Sequence, residues 1–348
     1  MTRPAARPTA RVPNAVGLVK SDYGGLPSTL CKGCGHNAVA NQIVQVAFEL
    51  GLRPHEVVKL SGIGCSSKSP AYFLGRSHGF NALHGRMPSV ATGALLANHR
   101  LRALAVSGDG DTGSIGLGQY KHLLRRNLRM TYLIENNGVY GLTKGQFSAT
   151  AEDGLELKYA GTNPFAEIDL CAEAIVAGCG FVARGFAGDA AQLRALLKAA
   201  LAHRGTAVVD VISPCVAFNN DDDSRKSYGY GRKHEVPLHD IGFVPPQEDV
   251  VIEDHEPGET RIVELHDGSR LALAKLESDY DPSDPARALA RLFAARESGE
   301  ILTGLIRFDG ERPSAAEAFR IGDVPLAERS ERDLRPGREA FDAVLDRY

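Results

Sequence analysis

Four short apolar runs predict the buried strands of a parallel sheet, because near-continuous aliphatic runs are typical of strands that are covered on both faces. The runs extend from Val57 to Leu60, Leu101 to Val106, Met130 to Ile134 and Ala207 to Ile212. Helical patterns lie between them, at Asn37 to Leu50, Pro88 to Ala97, Gly118 to Arg125 and Ala190 to Ala202. This alternation predicts an α/β fold with a doubly wound, mostly parallel sheet.

The pattern changes after Cys215. Asn219 to His239 is polar and without periodicity, which predicts a long functional loop. The elements expected beyond it are a hairpin of Arg261 to Leu265 and Leu271 to Leu276 around Asp267-Gly268, a helix from Asp284 to Ala295 that begins with Pro285, a strand from Ile301 to Phe308, and a helix from Arg338 to Leu345. We expect three parts: a flexible arm (1–20), a cofactor-binding domain (21–215) and a C-terminal α+β appendage (216–348) that contacts a partner chain.

Composition excludes several classes of protein. The 348 residues are 43% hydrophobic and 24% charged, so the chain can bury a full core, and the net charge of -3 gives no general reason to bind nucleic acid or a membrane surface. No apolar run approaches the roughly 20 residues that span a bilayer. The first residues lack the apolar core of a secretion signal, so we expect a cytoplasmic protein.

The second predicted strand is followed by a glycine-rich segment with two carboxylates. The segment Gly108-Asp109-Gly110-Asp111-Thr112-Gly113 matches the G-x-G-x-x-G pattern of dinucleotide-binding loops. In such a loop bare backbone faces an anionic pyrophosphate, which Asp109 and Asp111 would meet with like charge. A cation resolves that conflict, because Mg²⁺ commonly joins protein oxygen ligands to substrate phosphates. We therefore expect a metal-diphosphate site and reject the dinucleotide interpretation.

The third strand ends in Asn136-Asn137, whose amide oxygens offer further ligands for Mg²⁺. The order Gly-Asp-Gly, then the 25 residues from Asp111 to Glu135, then Asn-Asn resembles the signature of thiamine diphosphate enzymes. That resemblance implies the thiamine diphosphate-binding fold. It also implies that Asp109, the side chain of Asn137 and the carbonyl of Val139 hold Mg²⁺.

Four of the six cysteines stand among Gly, Ser, Pro and Lys, namely Cys31, Cys34, Cys65 and Cys215. The pair Cys31 and Cys34 alone fits half of a zinc site, a redox pair or part of an iron-sulfur site. Cys65 and Cys215 follow strands on the rim that carries Asp109, so we expect four thiolates to converge, as a [4Fe-4S] cluster or a zinc ion requires. Cys171 and Cys179 lie in an apolar stretch and are predicted to be core residues.

Five separated motifs make the chain resemble the beta subunit of 2-oxoacid:ferredoxin oxidoreductases, most closely the 2-oxoglutarate type. They are Cys31-x-x-Cys34-Gly35-His36, Gly62-Ile63-Gly64-Cys65-Ser66, His84-Gly85-Arg86, the Gly-Asp-Gly and Asn-Asn pair, and Gly141-Leu142-Thr143-Lys144-Gly145-Gln146. The resemblance covers about Asp22 to Pro245. The sequence departs from the family at Leu30 and Lys32, where Trp and Pro are usual, but no ligand is lost.

The resemblance implies CoA-dependent oxidative decarboxylation of a 2-oxoacid to an acyl-CoA and CO2. Electrons would pass singly through a [4Fe-4S] cluster, held by the four cysteines, to ferredoxin. The residues expected to bind the cofactor are Ile63, Gly64, Cys65, Ser66, His84, Gly108, Asp109, Gly110, Asp111, Asn137, Val139, Tyr140, Gly141, Leu142 and Thr143.

Three further residues are candidates for catalysis. His84 is expected to donate a hydrogen bond to the diphosphate or to the reacting acid, with a structural polar contact as the alternative. Lys68 and Lys144 occupy motif positions that the resemblance assigns to contacts with substrate carboxylates, although a solvated lysine is the simpler interpretation. If both lysines face the substrate, 2-oxoglutarate is favoured over pyruvate.

The catalytic carboxylate that thiamine enzymes place against the aminopyrimidine ring has no matching motif in this sequence. In the family it comes from an alpha subunit, so we expect an obligate heteromer. Two alternatives remain open. One is a non-oxidative thiamine decarboxylase or lyase with a structural zinc, and the other is an electron carrier or assembly subunit that kept the fold without catalysis.

Overall fold

All four predicted apolar runs are strands of one central sheet. The structure is a computed structural model and describes residues 12–246, 260–275 and 280–347. The strands are β1 (Val57–Ser61), β2 (His78–Asn81), β3 (Arg102–Gly108), β4 (Met130–Asn136), β5 (Val139–Tyr140), β6 (Gln146–Phe147), β7 (Glu156–Leu157), β8 (Gly161–Thr162), β9 (Phe181–Phe186), β10 (Thr206–Ile212), β11 (Glu235–Pro237), β12 (His239–Val244), β13 (Thr260–Glu264), β14 (Arg270–Lys275) and β15 (Ile301–Phe308). The helices are α1 (Gly35–Glu49), α2 (Met87–Ala97), α3 (Leu117–Arg126), α4 (Leu170–Val176), α5 (Ala190–Ala202), α6 (Tyr228–His234), α7 (Pro285–Ser298), α8 (Ala315–Ala318), α9 (Glu331–Leu334) and α10 (Arg338–Leu345).

The central sheet has eight strands in the order β11-β15-β9-β10-β4-β3-β1-β2. The six strands from β9 to β2 are mutually parallel, whereas β15 is antiparallel to β9. The predicted α/β fold with a mostly parallel sheet is therefore confirmed. Parallel neighbours bring their carboxyl ends to one edge, which is the edge where ligands bind in sheets of this kind.

Helices cover both faces of the sheet, because alternate strand residues point to opposite sides. In β3, Leu104 and Val106 pack in one apolar cluster with α1 and α5, and Ala103 and Ala105 pack in the other with α2, α3 and α4. The strands are buried along nearly their whole length. This explains why they appear in the sequence as continuous apolar runs rather than as alternating ones.

Capping residues set the ends of the predicted helices. The side chain of Asp189 accepts hydrogen bonds from two N–H groups in the first turn of α5, and Asp284 does the same for α7. Helix α7 begins with Pro285 in its first turn, as predicted, and ends at Ser298, three residues beyond Ala295, where Gly299 with φ +73° caps it. Among the helices that the structure describes, none combines the length and the apolar character needed to cross a membrane.

The C-terminal region contributes to the central sheet. The predicted hairpin is β13 and β14, joined at Gly268 with φ +80°, and β12 pairs with β14 to complete a three-stranded antiparallel sheet. Strand β15 pairs with β9, and β11 pairs with β15. Part of the region that the sequence analysis treats as an appendage therefore extends the cofactor-binding sheet, while its role in contacting a partner stays a prediction.

Several elements, among them α6, β11, β2 and β9, are absent from the sequence prediction. The polar stretch after Asn219 contains α6 and β11 in addition to a loop, because Tyr228 and Tyr230 pack against a small apolar cluster with Phe186. Strand β2 is exposed along its length, and β9 is interrupted by a charged and a glycine residue. Neither sequence is a continuous apolar run, so the two strands could not be predicted from the sequence alone. They form because they pair with neighbouring strands.

The described end of the predicted N-terminal arm packs on α1. The side chain of Asn14 donates to the hydroxyl of Tyr23 and to the carbonyl of Phe48, both at 2.8 Å. Leu18 packs against the main core. Residues 12–20 are thus attached to the domain, and residues 1–11 lie outside the described part of the chain.

His239 is a buried imidazole that must stay neutral. Its Nε2 accepts a hydrogen bond from the N–H of Leu305 at 3.0 Å. Burial lowers the pKa of His239 to about 4. Because this pKa lies below the ordinary value of about 6.5, the unfolded chain takes up the proton first as pH falls, and stability is lost between about pH 6.5 and pH 4.

We expect protonation of His239 in the unfolded chain to lower the free energy of unfolding by about 2 kcal/mol when the pH falls from 7.5 to 5. Denaturant titrations of the wild type and His239→Gln at both pH values measure the effect. The variant, which cannot protonate, is expected to lose less stability on acidification. An equal loss in both proteins would contradict the prediction.

Candidate functional site

The predicted site segments meet at the carboxyl edge of the sheet. Strand β1 leads into Gly62-Ile63-Gly64-Cys65, β3 into Asp109, β4 into Asn137 and β10 into Cys215. These four strands are adjacent and parallel, in the order β10-β4-β3-β1. The shared rim expected from the sequence is therefore where the segments lie.

A cleft with about 480 Å³ of empty space opens on this rim. Its lining comprises His36, Ile63, Gly64, Cys65, Ser66, His84, Gly108, Asp109, Gly110, Asp111, Glu135, Asn137, Val139, Tyr140, Gly141, Leu142 and Thr143. All fifteen residues predicted to bind the cofactor are among them. The fold brings these residues together, and their contact with a cofactor stays a prediction.

Asp109 is a buried carboxylate that accepts four hydrogen bonds. Its Oδ2 accepts from the N–H of Gly138 (3.1 Å), from the hydroxyl of Thr150 (2.7 Å) and from the hydroxyl of Ser148. Its Oδ1 accepts one longer bond, from the N–H of Asn137 (3.3 Å). Burial raises the pKa of Asp109, and these hydrogen bonds oppose the rise. Because Oδ1 keeps lone-pair capacity, it is available to a cation.

The turn after β4 supplies further oxygen atoms beside Asp109. The side chain of Asn136 is engaged within the protein, with Thr150 (2.9 Å) and Asp210 (3.0 Å). The side chain of Asn137 instead lines the cleft, where its Oδ1 accepts from the N–H of Val139 (3.1 Å). A carboxylate, an amide oxygen and a backbone carbonyl form the all-oxygen donor set that suits Mg²⁺, so these residues fit that ion.

Asp111 organises the loops around the cleft. Its Oδ1 accepts from the N–H of Gly85 (2.8 Å) and its Oδ2 accepts from the hydroxyl of Ser107 (2.8 Å). A Cβ at Gly62 would lie 1.8 Å from Oδ2 of Asp111. Only glycine therefore fits at position 62, and the motif that contains it packs directly on the carboxylate of the other motif.

Glycine is also required at Gly110. A Cβ there would lie 2.5 Å from the ring of Tyr140, whose hydroxyl donates to the Gly110 carbonyl at 3.0 Å. The backbone of this segment is thus exposed to the cleft on one side and covered by an aromatic ring on the other. Such bare backbone can approach a diphosphate closely.

Four cysteines line a second cavity, with about 470 Å³ of empty space. They are Cys31, Cys34, Cys65 and Cys215. A Cβ on Gly141 would lie 3.6 Å from the sulfur atoms of both Cys65 and Cys215, so those two atoms are separated by at most twice that distance. Among the described residues, no three His, Cys, Asp or Glu side chains are grouped as a metal-ion site. As a donor set on one cavity, the four thiols fit an iron-sulfur cluster or zinc.

The other two cysteines are core residues, as predicted. Cys171 and Cys179 are buried, and the thiol of Cys179 donates to the carbonyls of Thr206 (3.2 Å) and Phe181 (3.3 Å). All six cysteines lie in the described part of the chain and are free thiols. Burial raises the pKa of Cys34 to about 12, so a bound cation is needed to stabilise its thiolate there.

The three candidate catalytic residues lie in different places. His84 lines the cofactor cleft at an exposed position, whereas Lys68 lines the four-cysteine cavity. Lys144 is exposed on the loop that follows Thr143 and adopts φ +77°, a backbone conformation that is strained for a residue with a side chain. The described cleft does not include either lysine in its lining, so their contact with substrate stays a prediction.

Two buried groups in the cleft were missed by the sequence analysis as functional candidates. Glu135 accepts from the hydroxyl of Ser69 through both carboxyl oxygens (2.9 and 3.1 Å), and burial raises the pKa of Glu135 well above its usual range. His36 bonds to the hydroxyl of Ser213 through Nδ1 (2.6 Å), and burial lowers the pKa of His36 to about 4. In the sequence, Glu135 directly precedes Asn136-Asn137 and His36 lies two positions after Cys34. This proximity to predicted site residues was the signal that could have identified both groups.

The family model for the thiamine pyrophosphate enzyme, C-terminal TPP binding domain, matches residues 62–211. This range contains the cleft segments from Gly62 to Gly141 and ends within β10. The chain therefore contains a thiamine pyrophosphate binding domain of this type.

Curated relatives match over somewhat more than half of the chain. It is 42% identical over 191 residues to a 2-oxoacid:ferredoxin oxidoreductase subunit beta of Saccharolobus solfataricus, and 43% identical over 194 residues to the 2-oxoglutarate oxidoreductase subunit KorB of Mycobacterium tuberculosis. Each match covers 55% of this chain, with 63% of the first relative and 51% of the second. The chain thus spans between half and two thirds of the length of these relatives.

Two further comparisons extend the coverage. The 2-oxoglutarate synthase subunit KorB of Methanocaldococcus jannaschii is 36% identical over 197 residues, which cover 56% of this chain and 71% of that protein. The solved 2-oxoglutarate:ferredoxin oxidoreductase from Magnetococcus marinus, with 2-oxoglutarate, coenzyme A and succinyl-CoA bound, is 28% identical with a TM-score of 0.72 over 93% of this chain and 95% of that one. The chain belongs to the family of 2-oxoacid:ferredoxin oxidoreductase beta subunits.

Proposed function

We propose that the chain is the cofactor-binding half of an enzyme that oxidatively decarboxylates a 2-oxoacid to an acyl-CoA and CO2. Thiamine diphosphate and Mg²⁺ bind in the cleft, and a [4Fe-4S] cluster is held by Cys31, Cys34, Cys65 and Cys215. Electrons pass from this cluster to a ferredoxin. The enzyme works in the cytoplasm with an alpha subunit of the same complex.

The observation that carries this proposal is the wall shared by the two cavities. His36, Cys65, Asn137 and Gly141 line both the cofactor cleft and the four-cysteine cavity. An electron can cross this wall without leaving the protein, because a thiol of the second cavity is itself part of the cleft surface. A structural zinc site would need no such proximity, whereas a one-electron acceptor does.

The protein's task in this chemistry is to position the cofactor and the substrate and to balance their negative charges. When bound, thiamine diphosphate supplies the carbon nucleophile and the electron sink for decarboxylation. Asp109, the side chain of Asn137 and the carbonyl of Val139 would hold Mg²⁺, which neutralises the diphosphate. Asp111 keeps the glycine loops in place, so that backbone rather than side chains faces the diphosphate. His84, at the exposed mouth, is placed to donate a hydrogen bond to the diphosphate or the entering acid.

A partner chain is supported by the surface around the cleft. Leu142 in the cleft lining is an exposed apolar side chain, and so are Leu83, which precedes His84, and Ile115, whose backbone lies against Gly85. Glu135, the carboxyl group within the cleft, is already hydrogen-bonded to Ser69. We therefore assign the carboxylate that meets the aminopyrimidine ring to the alpha subunit, which would also cover the exposed apolar residues.

The preferred substrate in this proposal is 2-oxoglutarate. Relatives named for 2-oxoglutarate stand among the similar proteins, as does the structure with that acid bound. Lys68 follows the Gly62–Ser66 motif closely and Lys144 lies within the Gly141–Gln146 motif, and a second substrate carboxylate would give both a partner. Pyruvate, with one carboxylate, would leave one lysine unpaired.

The decisive experiment is co-purification of the chain with its alpha subunit under anaerobic conditions, followed by an assay of several 2-oxoacids with CoA and a viologen acceptor. We expect CoA-dependent viologen reduction, fastest with 2-oxoglutarate, together with about one thiamine diphosphate and four irons per heterodimer. Zinc in place of iron, with CO2 release but no acceptor reduction, would favour the non-oxidative alternative. A complex with iron but without thiamine diphosphate would favour the electron carrier.

The lysine assignment has its own test. We expect Lys68→Met and Lys144→Met each to raise the KM for 2-oxoglutarate roughly tenfold to 100-fold, which corresponds to about 1.4 to 2.7 kcal/mol. The KM for 2-oxobutyrate, which has one carboxylate, should change less in at least one of the variants. Lys158→Met, at an exposed position away from the cleft lining, is the matched control. Equal changes for both acids would contradict the assignment.

A further inference from the structure

The loop after β10 connects the two candidate sites through Asn219. This residue is buried, and its N–H donates to the carbonyl of Cys215 at 2.9 Å, which closes a tight turn that starts at the cysteine. Its side-chain Nδ2 donates to the carbonyl of Asn137 at 2.8 Å. Two consecutive hydrogen bonds therefore link a residue of the four-cysteine cavity to the turn proposed to bind Mg²⁺.

The peptide between Asn137 and Gly138 is held at both ends. Its carbonyl accepts from Asn219, and its N–H donates to Oδ2 of Asp109 at 3.1 Å. Hydrogen bonds in series polarise one another, so each strengthens the other in a buried site. A rotation of this peptide would break both bonds and move the side chain of Asn137 relative to Asp109.

The surroundings leave this peptide little freedom. Gly138 has φ +73°, and a Cβ on it would lie 3.1 Å from both Nδ2 of Asn219 and Cδ of Lys226. Lys226 is itself buried and forms ion pairs with Glu152 (3.2 Å) and Glu167 (3.7 Å). The loop is thus packed against the turn, and removal of the Asn219 side chain would take away the donor to the Asn137 carbonyl.

We propose that Asn219 is a positioning residue that couples the cluster to the Mg²⁺-diphosphate site. A ligated Cys215 fixes the turn that carries Asn219, and Asn219 fixes the peptide that orients Asn137. This inference rests on the proposed function, because it requires a cluster ligand at Cys215 and a metal ligand at Asn137. By thermodynamic linkage, the cluster then increases affinity for Mg²⁺-thiamine diphosphate, and the bound cofactor increases the affinity of the site for the cluster by the same factor.

The test compares the wild-type complex with Asn219→Ala and with Asn220→Ala as the neighbouring control, whose side chain accepts from the N–H of Tyr228 and not from the metal turn. Equilibrium dialysis of thiamine diphosphate with Mg²⁺ is measured on cluster-loaded and on iron-depleted protein. We expect the cluster to tighten binding roughly tenfold in the wild type and in Asn220→Ala, and less than threefold in Asn219→Ala.

Iron loss from the wild type to a ferrous-iron chelator, measured at equilibrium with and without Mg²⁺-thiamine diphosphate, keeps the test decisive if Asn219→Ala does not fold. Smaller iron loss with the cofactor bound supports the coupling, and equal iron loss overturns it. If the wild type holds iron but binds the cofactor with equal affinity in its cluster-loaded and iron-depleted forms, this inference alone is overturned. A wild type without iron or without cofactor binding overturns the proposed function as well.

Discussion

Replacing Asp109 by alanine is expected to remove nearly all binding of thiamine diphosphate and Mg²⁺. The substitution deletes the only carboxylate of the proposed metal set and leaves two N–H groups and two hydroxyls without their acceptor. We expect the dissociation constant for Mg²⁺-thiamine diphosphate to rise at least roughly 100-fold, about 2.7 kcal/mol, and 2-oxoacid oxidation to fall below about 1% of the wild type. Equilibrium dialysis and the viologen assay measure the two effects.

The variant Asp109→Asn separates charge from hydrogen bonding. Its amide oxygen can take the place of Oδ2 and accept from Gly138 and Thr150, but the NH2 group then replaces Oδ1 and offers Mg²⁺ neither a charge nor a lone pair. Cofactor binding should therefore remain weak while stability partly recovers. Asp153→Ala removes an exposed carboxylate on another loop and should bind the cofactor as the wild type does. Cofactor binding by Asp109→Asn within threefold of the wild type would rule out Asp109 as the metal ligand.

The second large effect is expected for Cys215→Ser. A serine hydroxyl does not replace a thiolate as an iron ligand in a cluster of this kind, so the reduced protein should lose the electron paramagnetic resonance signal of a [4Fe-4S] cluster or change it to that of a three-iron form. Viologen reduction should fall by at least about 100-fold, a loss of about 2.7 kcal/mol in transition-state stabilisation. Bound thiamine diphosphate should decrease less than this, since Asp109 and Asn137 remain.

The matched control is Cys179→Ser. The same atom is changed, but the thiol of Cys179 points at the carbonyls of Phe181 and Thr206 in the core, where a serine hydroxyl can donate as well. Iron content and the resonance signal should therefore equal those of the wild type. If both serine variants keep an unaltered signal, Cys215 is not a ligand.

The sequence predicted the centre of the fold because those strands are buried on both faces. A strand such as β4 must then be apolar throughout, and the end of the apolar run marks the sheet edge at which Asn137 emerges. Parallel packing then brings the carboxyl ends of β1, β3, β4 and β10 to one rim of the sheet. This rim, together with the motifs that resemble the family, is why the fifteen cleft residues from Ile63 to Thr143 could be anticipated together.

Elements that depend on contacts far along the chain could not be predicted in this way. Strand β2 is exposed and exists because it pairs with β1, and two of the seven residues of α6 are glycines, which disfavour a helix. Glu135 stands in an apolar strand, and only the packed structure places its carboxyl group beside Ser69. Asn219 carries no motif of its own, because its role is defined by a partner more than eighty positions earlier, Asn137.

The contact between Gly62 and Asp111 bears on how such a site can evolve. A methyl group at position 62 would overlap the carboxylate of Asp111, so the glycine cannot change before the aspartate does. The motif that contains Gly62 and the motif that contains Asp111 are therefore expected to be conserved together, although they follow different strands. We expect a lineage that loses the aspartate to be free to vary the glycine, which makes position 62 a marker of whether a distant homologue still assembles this cleft.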